Sequence, residues 1–313
     1  MSFRVLYVCA WGRSGTTLVD NVLNAYPAVF SAGEARYLWS RGILGKRDCG
    51  CGRRLLDCPV WSEVQVAAFG DDPPDPKYVV DLQRRVSRTR NTFRLARGRL
   101  SADAVEFGNL LARLYAGIAA VTGAAVIVDS SKMPADAALL GWQPDLDVSL
   151  LHMVRDARAV AHSWSRAKAH RDREALMAQH SPSRSTTNWM VWNGATELLR
   201  RRYGERYLRL RYEDLVARPR DRIADILRFM DVTPGPGPFV DDRHARLPVN
   251  HTVSGNPRRF ASGQTTIAPD DAWRSEQPGS AKLVSSVLGL PLLMRYHYPL
   301  VPSSPAPNDG PSD

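Results

Sequence analysis

The sequence predicts an α/β fold: a P-loop-like central parallel sheet flanked by helices, with a helical insertion. Three observations predict it. Short apolar runs rich in Val and Leu recur at residues 3–9, 125–128, 148–154 and 207–210, each with the length and composition of a strand buried on both faces. Helical patterns lie between these runs, the alternation expected of a parallel sheet with crossover helices. A glycine-bearing turn joins the first run to the first helical pattern.

Taken in order, residues 3–9 form the first strand and 16–25 the first helix, with Leu18, Val22 and Tyr26 four apart and Pro27 as the stop. Residues 78–122 contain no strand-like run and read as two helices. The first carries Arg84, Arg85, Arg88, Arg90, Arg94, Arg97 and Arg99; the second is apolar through Phe107, Leu110, Leu111 and Leu114. The arginines suit an anion-binding face, but a solvated face is the simpler reading. Residues 156–169 repeat a helical pattern through Val160 and Trp164. There is no internal repeat. From Pro302 the Pro/Ser/Asp-rich composition cannot pack, so residues 1–301 are expected to form the domain and 302–313 a disordered tail.

Of the 313 residues, 44% are hydrophobic and 24% charged, ordinary for a globular domain. No apolar run approaches the ~20 residues of a membrane span. The opening MSFRVLYVCAWGRSGTTL has too short an apolar core for a signal peptide, so a cytoplasmic location is expected. The net charge of +10, from 42 Lys+Arg against 32 Asp+Glu, favours an anionic partner. The basic residues are mostly arginine, whose fork suits phosphate and sulfate, although a coding bias toward arginine gives the same total. Nucleic acid is not the expected partner, because stretch 84–99 offers only Phe93 for base stacking.

The strongest local signal is strand, loop, helix: Trp11-Gly12-Arg13-Ser14-Gly15-Thr16-Thr17 between the first strand and the first helix. Such a loop presents free backbone N–H groups and the positive end of a helix dipole to an anion. A nucleoside-triphosphatase loop would read GxxxxGK[ST]. Here Ala10 stands at the first glycine and Thr16 at the lysine. The loop therefore predicts phosphate binding and argues against nucleoside triphosphate hydrolysis. A kinase-like phosphotransferase using ATP is the alternative.

At these residues the sequence resembles the sulfotransferases that use 3′-phosphoadenosine 5′-phosphosulfate (PAPS). GRSGTTL is similar to their 5′-phosphosulfate loop, most nearly that of the carbohydrate and tyrosylprotein branches, while the GNPRRF segment at 255–260 resembles a version seen in bacterial members. The resemblance implies the sulfotransferase fold, PAPS as sulfate donor with 3′,5′-ADP as product, and a hydroxyl acceptor: a carbohydrate, glycolipid, small metabolite or protein tyrosine. It implies 5′-phosphate contacts from Arg13, Ser14, Gly15, Thr16 and Thr17. Arg155 and Ser163, eight positions apart, resemble the 3′-phosphate element. Arg155 also ends a predicted strand, the edge where open α/β sheets bind ligands. Tyr212 in LRYEDLV fits a family pattern and equally a core tyrosine. Gly255-Asn256-Pro257 followed by Arg258 and Arg259 resembles the loop that closes over the 3′-phosphate, though a turn with surface arginines competes. A homodimer is left open.

Sulfuryl transfer needs a base for the acceptor proton and cations at the leaving side. Glu34 resembles the base of the tyrosylprotein branch, with a helix-capping or salt-bridged glutamate as the alternative and Arg36 expected to hold it or an acidic acceptor. Lys132 resembles the catalytic lysine, with a solvated loop lysine as the alternative, and His152 is a rival base. Arg158 and His162 share a helix face and suit surface salt bridges, while Ser130 suits a helix cap. The insertion at about 75–122 is expected to cap the acceptor pocket. Cys49, Cys51 and Cys58 lie within ten positions. Zinc would need a fourth ligand, Cys9 sits at the end of a buried strand, and His152, His180 and His251 show no metal spacing. A disulfide or free thiols over the acceptor are preferred, and no metal is expected.

Overall fold

The structure, a computed structural model, describes residues 3–166 and 178–300. The expected tail at 302–313 and the last residues of the helix expected at 156–169 lie outside them. Strand β1 (Arg4–Cys9) is buried from Val5 onward, as an unbroken apolar run requires. It turns into α1 (Thr16–Leu23). Strand β2 (Val29–Gly33) follows. The sequence reading did not anticipate it, because VFSAG is short and ends in small residues, so no periodicity marks it.

The segment expected to hold two helices holds three after the preceding α2 (Pro59–Phe69): α3 (Pro76–Val86), α4 (Thr92–Ala96) and α5 (Ala102–Thr122). The arginine-rich stretch breaks at Ser87, whose hydroxyl bonds the buried Asp136 carboxylate instead of continuing the helix. It breaks again at Gly98, which is left-handed with φ 72°. Its seven arginines are exposed, Arg84 and Arg85 pairing with Asp81 and Asp103. This is the solvated face. By length and composition α5 is the one described helix that could cross a membrane. Its apolar side, with Phe107, Leu111, Leu114 and Ile118, is instead packed into the core against α2.

Strand β3 (Val126–Lys132), α6 (Pro134–Leu140), β4 (Asp147–Val154), α7 (Ala157–Ser165), α8 (Pro182–Glu197) and β5 (Tyr207–Arg211) complete the main layer. Five strands in the order β2-β3-β1-β4-β5 form one sheet, and every pair is parallel. From β1 the chain first builds toward β3 and β2, then crosses to β4 and β5. Ligand crevices of open α/β sheets form where connections part in this way, outside the carboxyl ends of the strands. Here those ends are residues 10–15 after β1, Lys132 on β3 and Arg155 after β4. A small antiparallel pair, β6 (His244–Leu247) with β7 (Gly263–Thr266), carries residues 248–262 across the same edge. The C-terminal helix Gly279–Arg295 packs on α7 and α8.

Candidate active site

The loop after β1 bends through two left-handed residues, Arg13 at φ 73° and Gly15 at φ 89°. Gly15 fits for two reasons: the positive φ, and the Tyr212 ring, which a side-chain carbon there would overlap. The first helical bonds of α1 are donated by Leu18 and Val19 to the Gly15 carbonyl. The N–H groups of Thr16 and Thr17 precede them and point out of the helix N-terminus. The Arg13 guanidinium lies 5.0 Å from the centre of the Trp164 ring. Ser14 is buried and donates to the Trp11 carbonyl at 2.7 Å, which shapes the loop from within.

Arg155 reaches this loop directly. Its Nη1 donates to the Arg13 carbonyl at 3.1 Å, and its plane lies over the Tyr212 ring at 4.4 Å. Nη2 binds the Asp270 carbonyl at 2.9 Å and the Asp270 carboxylate at 3.1 Å, while Nε is buried without a hydrogen-bond partner. The two anion cradles expected from separate strands therefore sit side by side. They line one cavity of about 860 Å³ with Gly15, Thr16, Thr17, Ser163, Tyr212 and Arg258.

Glu34 and Lys132 line it too. Glu34 follows β2, and its N–H donates to the Ser254 carbonyl at 3.1 Å. Lys132 ends β3 in left-handed backbone, φ 71°, where the register of β1 with β3 shifts. Such irregularities re-aim side chains beside functional sites. Lys132 Nζ lies 2.5 Å from Glu34 Oε1 and also donates to the Ser130 carbonyl. Arg41, on a π-helical turn over Leu38–Leu44, holds Glu34 Oε2 at 3.2 Å and Ser254 Oγ at 2.9 Å. Burial pushes the Glu34 carboxyl upward, but Lys132 and Arg41 outweigh it and hold the group below its ordinary value. It is ionised at neutral pH.

Several expectations change. Arg41, not Arg36, holds Glu34 directly; Arg36 pairs with Asp136 at 3.5 Å. Arg259 is buried and spans the carbonyls of Thr252 and Asp48, so of the two C-terminal arginines only Arg258 faces the cavity. His152 is buried between Tyr207 and Asn193, where burial lowers its pKa to about 4, and it does not line the cavity, so it is out of reach of an acceptor there. Arg158 is fully buried and bidentate to Asp156, with further bonds to the carbonyls of Pro299 and Leu300. It fastens the end of the described chain rather than forming a surface bridge. Ser130 donates to buried Asp20 at 2.5 Å instead of capping a helix. No residue of 75–122 lines the cavity. That insertion packs behind its wall, Gln83 donating to the Arg36 carbonyl.

All four cysteines are free, but they do not sit over the cavity. Cys9 lies buried in β1, and none of the four cysteines lines the cavity. Cys49, Cys51 and Cys58 instead converge with His251, their four ligand atoms all within 4.8 Å of one another. The link was invisible in sequence because His251 lies almost two hundred positions away.

Sequence reasoning also missed the aromatic wall. Trp11 stacks with Trp164 at 5.6 Å and meets Trp192 at 4.8 Å, and all three line the cavity. One turn apart on α8, Trp189 and Trp192 donate to the carbonyls of Arg155 and Lys132.

Residues 139–277 match the family model described as the sulfotransferase domain. This span holds Arg155, Ser163, Tyr212 and Arg258 but not the loop after β1, Glu34 or Lys132. No curated protein matches the sequence. Among solved structures, the fold is similar to the sulfotransferase domain of the Synechococcus PCC 7002 olefin synthase. That match has a TM-score of 0.51 and 19% identity, covering 96% of this chain and 97% of that one. The sulfotransferase domain from the curacin biosynthetic pathway gives a TM-score of 0.51 and 15% identity, covering 96% and 99%.

Proposed function

We propose that the chain moves a sulfuryl group from PAPS to a hydroxyl acceptor by in-line displacement, a reading supported by the match of residues 139–277 to the sulfotransferase domain model. The observation that carries the proposal is the contact between Arg155 and the Arg13 loop. The two elements expected to bind phosphate line one cavity, which supports their holding the two ends of a single adenosine with 3′- and 5′-phosphates. The buried, unpartnered Nε of Arg155 fits an anion, since an unbonded charged donor is costly in a protein interior. Arg155, Ser163 and Arg258 would take the 3′-phosphate. Arg13 and the N–H groups and hydroxyls of Thr16 and Thr17 would take the 5′ side, with Gly15 allowing close approach and Tyr212 walling the site. Bound there, PAPS supplies the activated sulfuryl group.

Glu34 then accepts the acceptor hydroxyl proton as the acceptor oxygen bonds to sulfur. The bond from sulfur to the bridging oxygen breaks, the electron pair leaves with 3′,5′-ADP, and Lys132 stabilises that oxygen. Lys132 turning from Glu34 Oε1 to the leaving oxygen would free that carboxylate oxygen for the proton, while Arg41 keeps hold of Oε2. The acceptor class stays among carbohydrate, glycolipid, small metabolite and protein tyrosine, since acceptor walls come from variable loops.

Calorimetry with 3′,5′-ADP, ADP and AMP tests the proposal. Preference for the 3′-phosphate, lost in Arg155→Ala, is the expected result; equal affinity for ADP would overturn it. Glu34→Gln should keep 3′,5′-ADP binding and lose turnover by on the order of a hundred- to ten-thousandfold.

A further inference from the structure

Outside the cavity, three thiols and an imidazole from two distant segments meet at one point. Cys58 Sγ lies 3.2 Å and Cys49 Sγ 3.8 Å from His251 Nδ1. A tetrahedral zinc ion with Zn–S ~2.3 Å and Zn–N ~2.0 Å sets S···N edges of about 3.5 Å, between these two distances. Cys51 brings the third sulfur into the same group, and Cys49 and Cys58 are buried. We propose that Cys49, Cys51, Cys58 and His251 bind one structural zinc ion.

The surrounding backbone is built for such a site. Residues 49–52 form a tight turn in which the Gly52 N–H donates to the Cys49 carbonyl at 2.8 Å, with Gly52 at φ 86°. Gly50 lies so close to Asn250 that a side-chain carbon there would overlap its amide oxygen, and the Gly50 N–H donates to the Thr252 carbonyl at 2.9 Å. Cys58 occupies the N-cap of α2, which ties this ligand to the start of a helix. The Trp61 indole N–H donates to the His251 carbonyl at 2.6 Å and fixes that ligand's backbone. A disulfide would use two sulfurs and strand the third beside the imidazole. Three sulfurs and one nitrogen suit zinc, and four protein ligands leave no open position, the arrangement of a structural rather than a catalytic site.

The zinc ion would tie the loop at 47–58 to residues 250–254. From there the Val253 N–H bonds the Ala32 carbonyl, and the Ser254 carbonyl receives the Glu34 N–H. Gly255 and Arg258 follow on the cavity wall. Metal binding would thus fix the loops that carry Glu34 and Arg258, as binding to the folded state alone does in general.

The test is elemental analysis of the full chain, purified under reducing conditions and reconstituted with zinc, followed by gel filtration. About one zinc per chain is expected, falling below about a tenth in Cys58→Ser and in His251→Ala. His251→Cys should retain the metal, which separates loss of a ligand from loss of the fold. Cobalt substitution should give the visible bands of a tetrahedral thiolate site. Failure of the reduced, reconstituted chain to retain zinc overturns the proposal, and so does zinc content unchanged in both ligand variants. Neither result bears on the sulfate-donor site, which the nucleotide calorimetry tests separately.

Discussion

Among the residues of the cavity, charge is balanced in opposite ways at its two ends. Glu34 and Lys132 were candidates in the sequence through short motifs, Gly33-Glu34 shortly after the first helix and Lys132 at the end of an apolar run. Their direct pairing was not legible there, since no spacing shows that β2 and β3 are neighbours. At the other end Asp270 binds Arg155 through both its carboxylate and its backbone carbonyl. A phosphate arriving at Arg155 meets that carboxylate as a competing anion. In Asp270→Asn the backbone carbonyl still orients the guanidinium and only the charge is gone. The variant should bind 3′,5′-ADP several-fold more tightly, a gain of about 1 kcal/mol, and calorimetry reads it directly. Weaker binding would mean that the carboxylate itself positions Arg155.

Single elements place these residues, and α8 does so from outside the sheet. Its Trp189 and Trp192, three positions apart and so on one face, donate to the carbonyls of Arg155 and Lys132, at the exits of β4 and β3. Trp189 is fully buried and does not line the cavity, so it is a positioning residue for Arg155. Trp189→Phe keeps most of the ring volume and removes the N–H. Leaving a buried carbonyl without its donor costs about 1–3 kcal/mol, enough to loosen the exit of β4. We expect 3′,5′-ADP affinity to fall several-fold while affinity for AMP, which has no 3′-phosphate, stays unchanged. An equal loss for both nucleotides would point to general destabilisation instead. The strands and α1 were readable because buried apolar runs and a glycine turn are local signals. The tryptophans of α8 were not, because their role depends on which carbonyls lie beneath them. Strand β2 escaped for a related reason: its burial comes from its place beside β3, not from its own composition.

At the scale of the whole molecule, buried carboxyl groups tie helices to the β2–β3 half of the sheet beneath the site. Asp20, on α1, accepts from Ser31 on β2 and Ser130 on β3, at 2.9 and 2.5 Å. Asp129 accepts from Tyr115 at 2.6 Å and from the Ser131 N–H at 2.8 Å. Burial raises both pKa values to about 6, although these hydrogen bonds pull them back. A carboxyl whose pKa is raised by folding holds its proton more tightly in the folded state. Its stabilising contribution is complete below the ordinary value of 3.8 and is lost as pH rises toward 6. Each such group changes stability by at most about 1.4 kcal/mol per pH unit inside that window. Surface ion pairs act in the opposite direction, so the comparison must be internal. In Asp20→Asn the amide has no proton to lose, and any damage to its hydrogen bonds is the same at every pH. Between pH 4 and pH 6 the wild-type free energy of unfolding, from urea titrations, should therefore fall relative to the variant's by about 1–3 kcal/mol. If the two profiles ran parallel, Asp20 would ionise equally easily in the folded and unfolded chains, and its burial between α1 and the sheet would carry no electrostatic cost.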